Sequence, residues 1–465
     1  MKKMKKIILL LSTGVAAFAF SIQQAEASDE FPIATTDANE LGLVAAFDGT
    51  NYLVGIQGDE THHANITAQM VSQTGSLVGS RISIGRTGGL PLVAFDGTNY
   101  LMVWTDDATY PNDDIYGQFI GTSGALVGSP FAISTAAGEQ EMGYIAFDGT
   151  NYLVVWDDYR NPDSDIYGQL VSTSGSLVGS EIPISTASFN QKDPAVAFDG
   201  TNYLVVWNDG HRLGAGYGED IYGQFATKSG ALLGSNFVID QDDYPSDNPT
   251  GIAFDGTNYL VVFHDEINDE WDIYGRSVST SGSVGSRITI SNAAGNQHFP
   301  FVGFDGTNYL VTMCDGLGGP SVTAKGRYYD TDFNPVGDWF TIFETQDSKV
   351  PFSAFVLFDG TRYLAVTTRV ILTGGDEDWF SDGDVYGAFI ETIGDFCGAN
   401  FGPPDGYVDV WDLMQFADHW HTRTGEGNWD AKFDLTGPDF EDIDGYVDVW
   451  DLMTFADNWH KGQKP

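Results

Sequence analysis

Residues 145–186 read IAFDGTNYLVVWDDYRNPDSDIYGQLVSTSGSLVGSEIPIST. Within it, Tyr152-Leu153-Val154-Val155-Trp156 is apolar on both faces, which predicts a central strand covered from two sides. The strand before it ends at Phe147-Asp148-Gly149-Thr150-Asn151, where Asp-Gly supplies the positive φ values of a tight hairpin. A third strand is expected from Asp165 to Leu170, with another hairpin at Ser174-Gly175. A fourth runs from Glu181 to Ser185 and alternates. Pro183 cannot donate to a ladder, so this fourth strand belongs at an edge.

The same sentence is written seven times. Phe-Asp-Gly-Thr recurs with its Asp at 48, 96, 148, 199, 255, 305 and 359. Four antiparallel strands per repeat of roughly 50 residues suit a propeller blade. The seventh copy stops after its third strand, near Asp384–Phe389. The missing strand has a counterpart near the start of the chain, where Asp29-Glu30-Phe31-Pro32-Ile33-Ala34-Thr35 matches Ser180–Thr186 almost position for position. The expected fold is therefore an all-β, seven-bladed β-propeller over residues 28–394, closed by the N-terminal strand. Such closure removes the open edge that an unclosed array would leave.

The 465 residues carry 21 Lys+Arg against 65 Asp+Glu, a formal net charge of −44. A polyanion of this size is repelled by nucleic acid and by anionic membrane surfaces, so neither is expected as a partner. Of the acids, 50 are Asp and 15 are Glu, which favours turns and oxygen-rich metal loops over helices. Hydrophobic residues at 42% exclude wholesale disorder. Lys2, Lys3, Lys5 and Lys6 precede an apolar stretch from Ile7 to Phe20 and the small-x-small triplet Ala25-Glu26-Ala27. This reads as a secretory signal peptide over residues 1–27 and predicts a secreted, extracellular or cell-surface protein with no membrane insertion. Cys314 and Cys397 are too few for a disulfide scaffold, and pairing or isolated thiols both remain open.

Strand order places the two repeated hairpins on one end of the blades. The variable second-to-third connections and the links between blades lie on the other, where binding usually resides. Candidate ligand-loop residues there are Tyr110, Tyr159, Arg160, His211, Arg212, Glu266, Trp271 and Trp379, a set able to stack on and hydrogen-bond a sugar. Asp107, Asp158, Asp209 and Asp265 close second strands, while Asp114, Asp165, Asp220 and Asp272 open third strands. Such pairs suit calcium or acid–base chemistry, but recurrence in four blades points to a structural role. No zinc, nucleophile-elbow or phosphate-loop motif is present, and no catalytic residue stands out.

After Phe396 a different duplication begins. Asp405-Gly406-Tyr407-Val408-Asp409-Val410-Trp411-Asp412-Leu413-Met414 returns 39 residues later as Asp444–Met453. Read as calcium loops, Asp405 and Asp444 take the fifth position and the carbonyls of Tyr407 and Tyr446 the seventh. Asp409 and Asp448 then take the ninth position, Asp412 and Asp451 the twelfth. Apolar residues at helical spacing follow each loop (Leu413, Phe416, Ala417, Trp420 and Leu452, Phe455, Ala456, Trp459), so each half has one loop and one exit helix.

This tail, residues 395–465, resembles the dockerin module (the type I dockerin repeat) of cellulosome-type proteins. The resemblance implies a small all-α domain holding two Ca2+ ions and a cohesin-type protein as partner. The early ligands depart from the family pattern. Asn400 serves as a first ligand if Gly402-Pro403-Pro404 carries an insertion, and Asp442 or Asp434 serves in the second half. The Ser/Thr pair that often follows the ninth position is replaced by Val410-Trp411 and Val449-Trp450. The repeat itself resembles the DGTNYLVVW arrays of secreted bacterial proteins. Together these features predict a secreted, non-catalytic binding or scaffold protein. Its propeller presents loops to a polysaccharide or protein, and its calcium-loaded tail docks to a cohesin. The alternative is a dockerin-borne glycoside hydrolase or lyase acting in polysaccharide catabolism.

Overall fold

The computed structural model describes residues 27–392 apart from 37–38, 59–63, 211–219, 242–247, 268–269, 318–320, 353 and 373–379. The chain divides into two compact units, Met1–Thr392 and Ile393–Pro465. The second unit lies outside the described residues, and with it every expected calcium ligand. The signal-like segment before Ala27, His211, Arg212, Trp379 and Cys397 also lie outside them.

Among the described residues all regular structure is strand, arranged as a β-propeller-like series of antiparallel sheets. The third sheet is typical. Gln140–Phe147, Asn151–Asp158, Asp165–Ser172 and Leu177–Ser185 pair in chain order, with the proline-bearing strand outermost. The other copies repeat this order. The first two share one long strand, Leu77–Phe95, whose first part closes one sheet and whose second part opens the next. The seventh sheet takes Phe31–Ala34 as its outer strand: Phe31 lies opposite Gly387 and Pro32 opposite Tyr386. In the third sheet, Ile182 lies opposite Gly168 and Pro183 opposite Tyr167. The two registers are equivalent, so the N-terminal strand fills the place that the seventh copy lacks.

First strands of successive sheets contact one another in turn, and Phe355–Phe358 of the seventh also contacts Glu40–Phe47 of the first. The apolar central strands explain the packing. Tyr152, Val154 and Trp156 pack against Leu101 and Val103 of the second sheet, whereas Leu153 and Val155 pack against Tyr203, Val205 and Trp207 of the fourth. Each such side chain taken from water contributes about 1.5–3 kcal/mol, which is why the central strand tolerates no polar face until its end.

One hairpin differs in detail from the sequence reading. Positive φ is confined to the glycine (+86° at Gly149), and the loop is Gly149-Thr150, flanked by Asp148 and Asn151. Asp148 contributes its side chain instead: Oδ1 accepts the N–H groups of Thr150 and Asn151, both at 2.7 Å. No helix among the described residues is long and apolar enough to cross a membrane.

Candidate functional site

The recurring acid pairs are brought together as expected, with one correction. Asp158 lies directly opposite Asp165, Asp209 opposite Asp220 and Asp265 opposite Asp272. In the second sheet the residue facing Asp114 is Asp106, not Asp107. The error is one of register, since the acid stands two residues after the Trp that ends the strand. That spacing has a physical reason: the indole Nε1 of Trp104, Trp156 and Trp207 donates to Asp106, Asp158 and Asp209 at 3.1, 2.9 and 3.2 Å.

Adjacent like charges need a cation, and in three of the four sheets a different part of the chain supplies it. Arg86 pairs with Asp106 at 3.4 Å and lies over Tyr116. Arg160 clamps Asp158 with Nε and Nη2 at 2.7 and 2.6 Å, reaches Glu181 at 2.8 Å, and stacks on Tyr167. Arg287 pairs with Asp265 and stacks on Tyr274. Arg160 thus compensates the charge of Asp158. Tyr110 is exposed on its loop. Burial and the carboxylates of Asp157, Glu141, Glu139 and Asp193 push the Tyr159 hydroxyl well above its ordinary value.

A ring of positions that the sequence reading passed over breaks the repetition. Six residues before the Phe of each Phe-Asp-Gly-Thr stand Leu41, Gly89, Glu141, Lys192, Asn248, His298 and Phe352, seven different residue types. In the first six sheets these lie opposite Gln57, Thr105, Asp157, Asn208, His264 and Cys314 at the ends of the second strands. The Phe352 N–H donates to the Thr368 carbonyl in the seventh. This is the variable-loop end of the innermost strands. The second-strand residue also holds the next sheet: Asp157 Oδ2 accepts the Asp193 N–H at 3.3 Å, His264 Nδ1 the Phe299 N–H at 3.3 Å, and Thr368 Oγ1 the Gly42 N–H at 2.9 Å. Cys314, a free and buried thiol, meets the Pro351 carbonyl in the same way at 3.6 Å.

Two chemical groups occupy this ring. One is aromatic. Trp271 and His298 have ring centroids 5.2 Å apart, His298 and Phe299 5.6 Å, and Phe299 and Phe352 4.4 Å. These four rings come from three consecutive sheets and are half-buried, and the first three rest on the buried His264. Phe299 holds a φ of +50°, an uncommon conformation for a bulky residue. Burial and the neighbouring His298 hold the His264 imidazole down at about 3, and burial holds His298 at about 4, so both rings are neutral near pH 7.

The other group is acidic. Glu141 and Asp157 face each other, with Glu139, Asp193 and Lys192 beside them. Burial, a hydrogen bond and charge from Glu139, and the charge of Asp113 raise Glu141 to about 7, against the opposing pull of Lys192. Burial and the carboxylates of Asp193 and Glu141 raise Asp157 well above its ordinary range. This acid pair differs from the recurring ones in occurring at the inner end of the third sheet. Of the candidate ligand residues, Trp271 joins the aromatic row and Tyr159 borders the acids. Glu266 lies opposite Trp271 in the ladder. No group of three or more His, Cys, Asp or Glu among the described residues is arranged to hold a metal.

No family model matches the chain, and no curated protein matches it. Solved structures do. Hydrazine synthase of Kuenenia stuttgartiensis is 13% identical with a TM-score of 0.45, covering 71% of this chain and 93% of its own. The polysaccharide lyase Uly1 is 10% identical with a TM-score of 0.46, covering 79% and 99%. The subtype N11 neuraminidase-like protein of A/flat-faced bat/Peru is 10% identical with a TM-score of 0.41, covering 82% and 97%. These three are described by unrelated chemistries, and likeness at this level carries no argument about what the present chain does.

Proposed function

We propose that this chain is a secreted carbohydrate-binding protein. Its seven sheets form a closed seven-bladed propeller that holds an oligosaccharide at the variable-loop end. The observation that carries this reading is the contiguous row of Trp271, His298, Phe299 and Phe352. Half-exposed neutral rings on a rigid inner rim offer flat apolar faces to sugar C–H groups, with carboxylates and amides nearby to hydrogen-bond hydroxyls. The dockerin-like tail, loaded with calcium through the loops at Asp405–Asp412 and Asp444–Asp451, docks the propeller to a cohesin-type partner.

Glycan-array binding by the full-length protein, repeated with Trp271→Ala and Phe299→Ala, tests the first part. Binding that both substitutions leave unchanged overturns it. Calorimetry with calcium tests the second: two sites are expected, one lost in Asp412→Ala and the other in Asp451→Ala.

One observation favours a second reading, a glycoside hydrolase or lyase. Glu141 keeps its proton to about 7, as a general acid at neutral pH must. Release of reducing ends from a bound polysaccharide, abolished by Glu141→Gln, would establish catalysis.

A further inference from the structure

We propose that Glu139, Glu141, Asp157 and Asp193 form a subsite for a protonated amine, so that the carbohydrate bound at this end carries an ammonium group, as a deacetylated amino sugar does. The inference rests on the reading of this end as a carbohydrate site. Glu141 and Asp157 are direct cross-strand neighbours, the Glu139 carboxyl lies close enough to raise Glu141, and the Asp193 N–H donates to Asp157. Charged or titratable groups facing this set are Asp113 from the second sheet, Tyr159 from the adjoining loop and Lys192 from the fourth sheet. Among the described residues Lys192 is the lysine beside these carboxyl groups.

A second observation points to a ligand. Asp157 is only 2% exposed, and its Oδ1 has no hydrogen-bond partner. A buried acceptor left unpaired costs free energy that a donor can recover. Glu139, Glu141 and Asp193 are half-buried and open to solvent, whereas Asp157 lies beneath them. An ammonium brings three donors and a positive charge to such a place. A uronate brings a further negative charge and is excluded by the same electrostatics. Among the described residues no equivalent cluster recurs in the other sheets, where the innermost position is Leu41, Gly89, Lys192, Asn248, His298 or Phe352.

The test is calorimetric titration of the full chain with a β-1,4-linked glucosamine tetramer and with its N-acetylated form, at about pH 7, where ordinary amines are still charged and Glu141 ionises. The deacetylated tetramer is expected to bind at least about tenfold more tightly. In Glu141→Gln/Asp157→Asn that advantage is expected to vanish, the two tetramers then binding with equal affinity. The Asn retains an oxygen for the Asp193 N–H, and the Gln keeps the shape of Glu141. Equal affinity of the wild type for both tetramers overturns the inference and leaves the carbohydrate reading intact. An advantage that survives the double substitution also overturns it, assigning the effect to the net charge of the whole protein. Binding of neither tetramer, with neutral glycans bound on an array, overturns the amine subsite alone. Binding of no glycan at all overturns both.

Discussion

The hydroxyl of Tyr52 in the first sheet donates to the carboxylate of Asp359 in the seventh, across 307 residues of chain. It is the closing member of a series. Tyr100, Tyr203, Tyr259 and Tyr309 donate in the same way to the carbonyls of Asn51, Asn151, Asn202 and Asn258, each in the preceding sheet. In the seventh copy the Asn is replaced by Arg362, and the bond moves to the turn Asp. The repeated hairpin end is thus a belt of inter-sheet hydrogen bonds, which accounts for its near-invariance without any call on ligand binding.

Closure depends on the N-terminal strand. Phe31 packs on Phe389 with ring centroids 5.2 Å apart, and Ser28 exchanges hydrogen bonds with the Phe389 backbone. Phe31→Ala is expected to cost about 3 kcal/mol in denaturant unfolding. Deleting residues 28–35 exposes the edge of the strand Phe380–Glu391, and light scattering is expected to show self-association.

Asp158 is fully buried, and Arg160 supplies its charge partner. Arg160→Ala leaves that carboxylate uncompensated and is expected to cost about 3 kcal/mol. Arg160→Lys recovers only part, because the two-pronged contact needs the planar guanidinium. Neither substitution is expected to alter glycan selectivity, which separates this structural arginine from the binding residues in one set of melts and titrations.

His264 and His298 titrate at about 3 and 4 in the folded chain, against roughly 6.5 when unfolded. Between these values the unfolded chain binds more protons, so their contribution to stability falls as pH falls through that window. His264→Asn keeps an acceptor for the Phe299 N–H. It is expected to flatten the loss of melting temperature between about pH 7 and pH 4.

Glu141 has the opposite sign. Its folded value of about 7 lies above the ordinary carboxylate value. The folded chain therefore holds the extra proton, and stability falls as pH rises from the ordinary value through about 7. Glu141→Gln is expected to remove part of that slope, measured by thermal melts across the same range.

The fold was legible because it is written seven times and because its ends show the exchange of a strand: Phe31-Pro32-Ile33 and Ile182-Pro183-Ile184 share one register. The acid pairs were legible too, save for Asp107 in place of Asp106, because the ladder register follows Trp104, two residues before the pairing acid. The inner ring was not read. Glu141, Lys192, His298 and Phe352 stand in short stretches before an invariant phrase, outside the long variable loops. The signal was the aligned column itself, which changes residue type in every copy. What makes the column matter is position at the inner rim, and that depends on how seven sheets pack, not on any local pattern.

The central claim is that the inner rim, at its variable-loop end, is where an oligosaccharide sits. Hydrogen exchange of the full chain, with and without a saturating glycan, locates the site directly. The account predicts slowed exchange at the starts of the innermost strands, around Glu139–Glu141, Lys192–Asp193 and Gln297–Phe301, and none at the Phe-Asp-Gly-Thr hairpins. Protection confined to those hairpins or to the outer strands would contradict it.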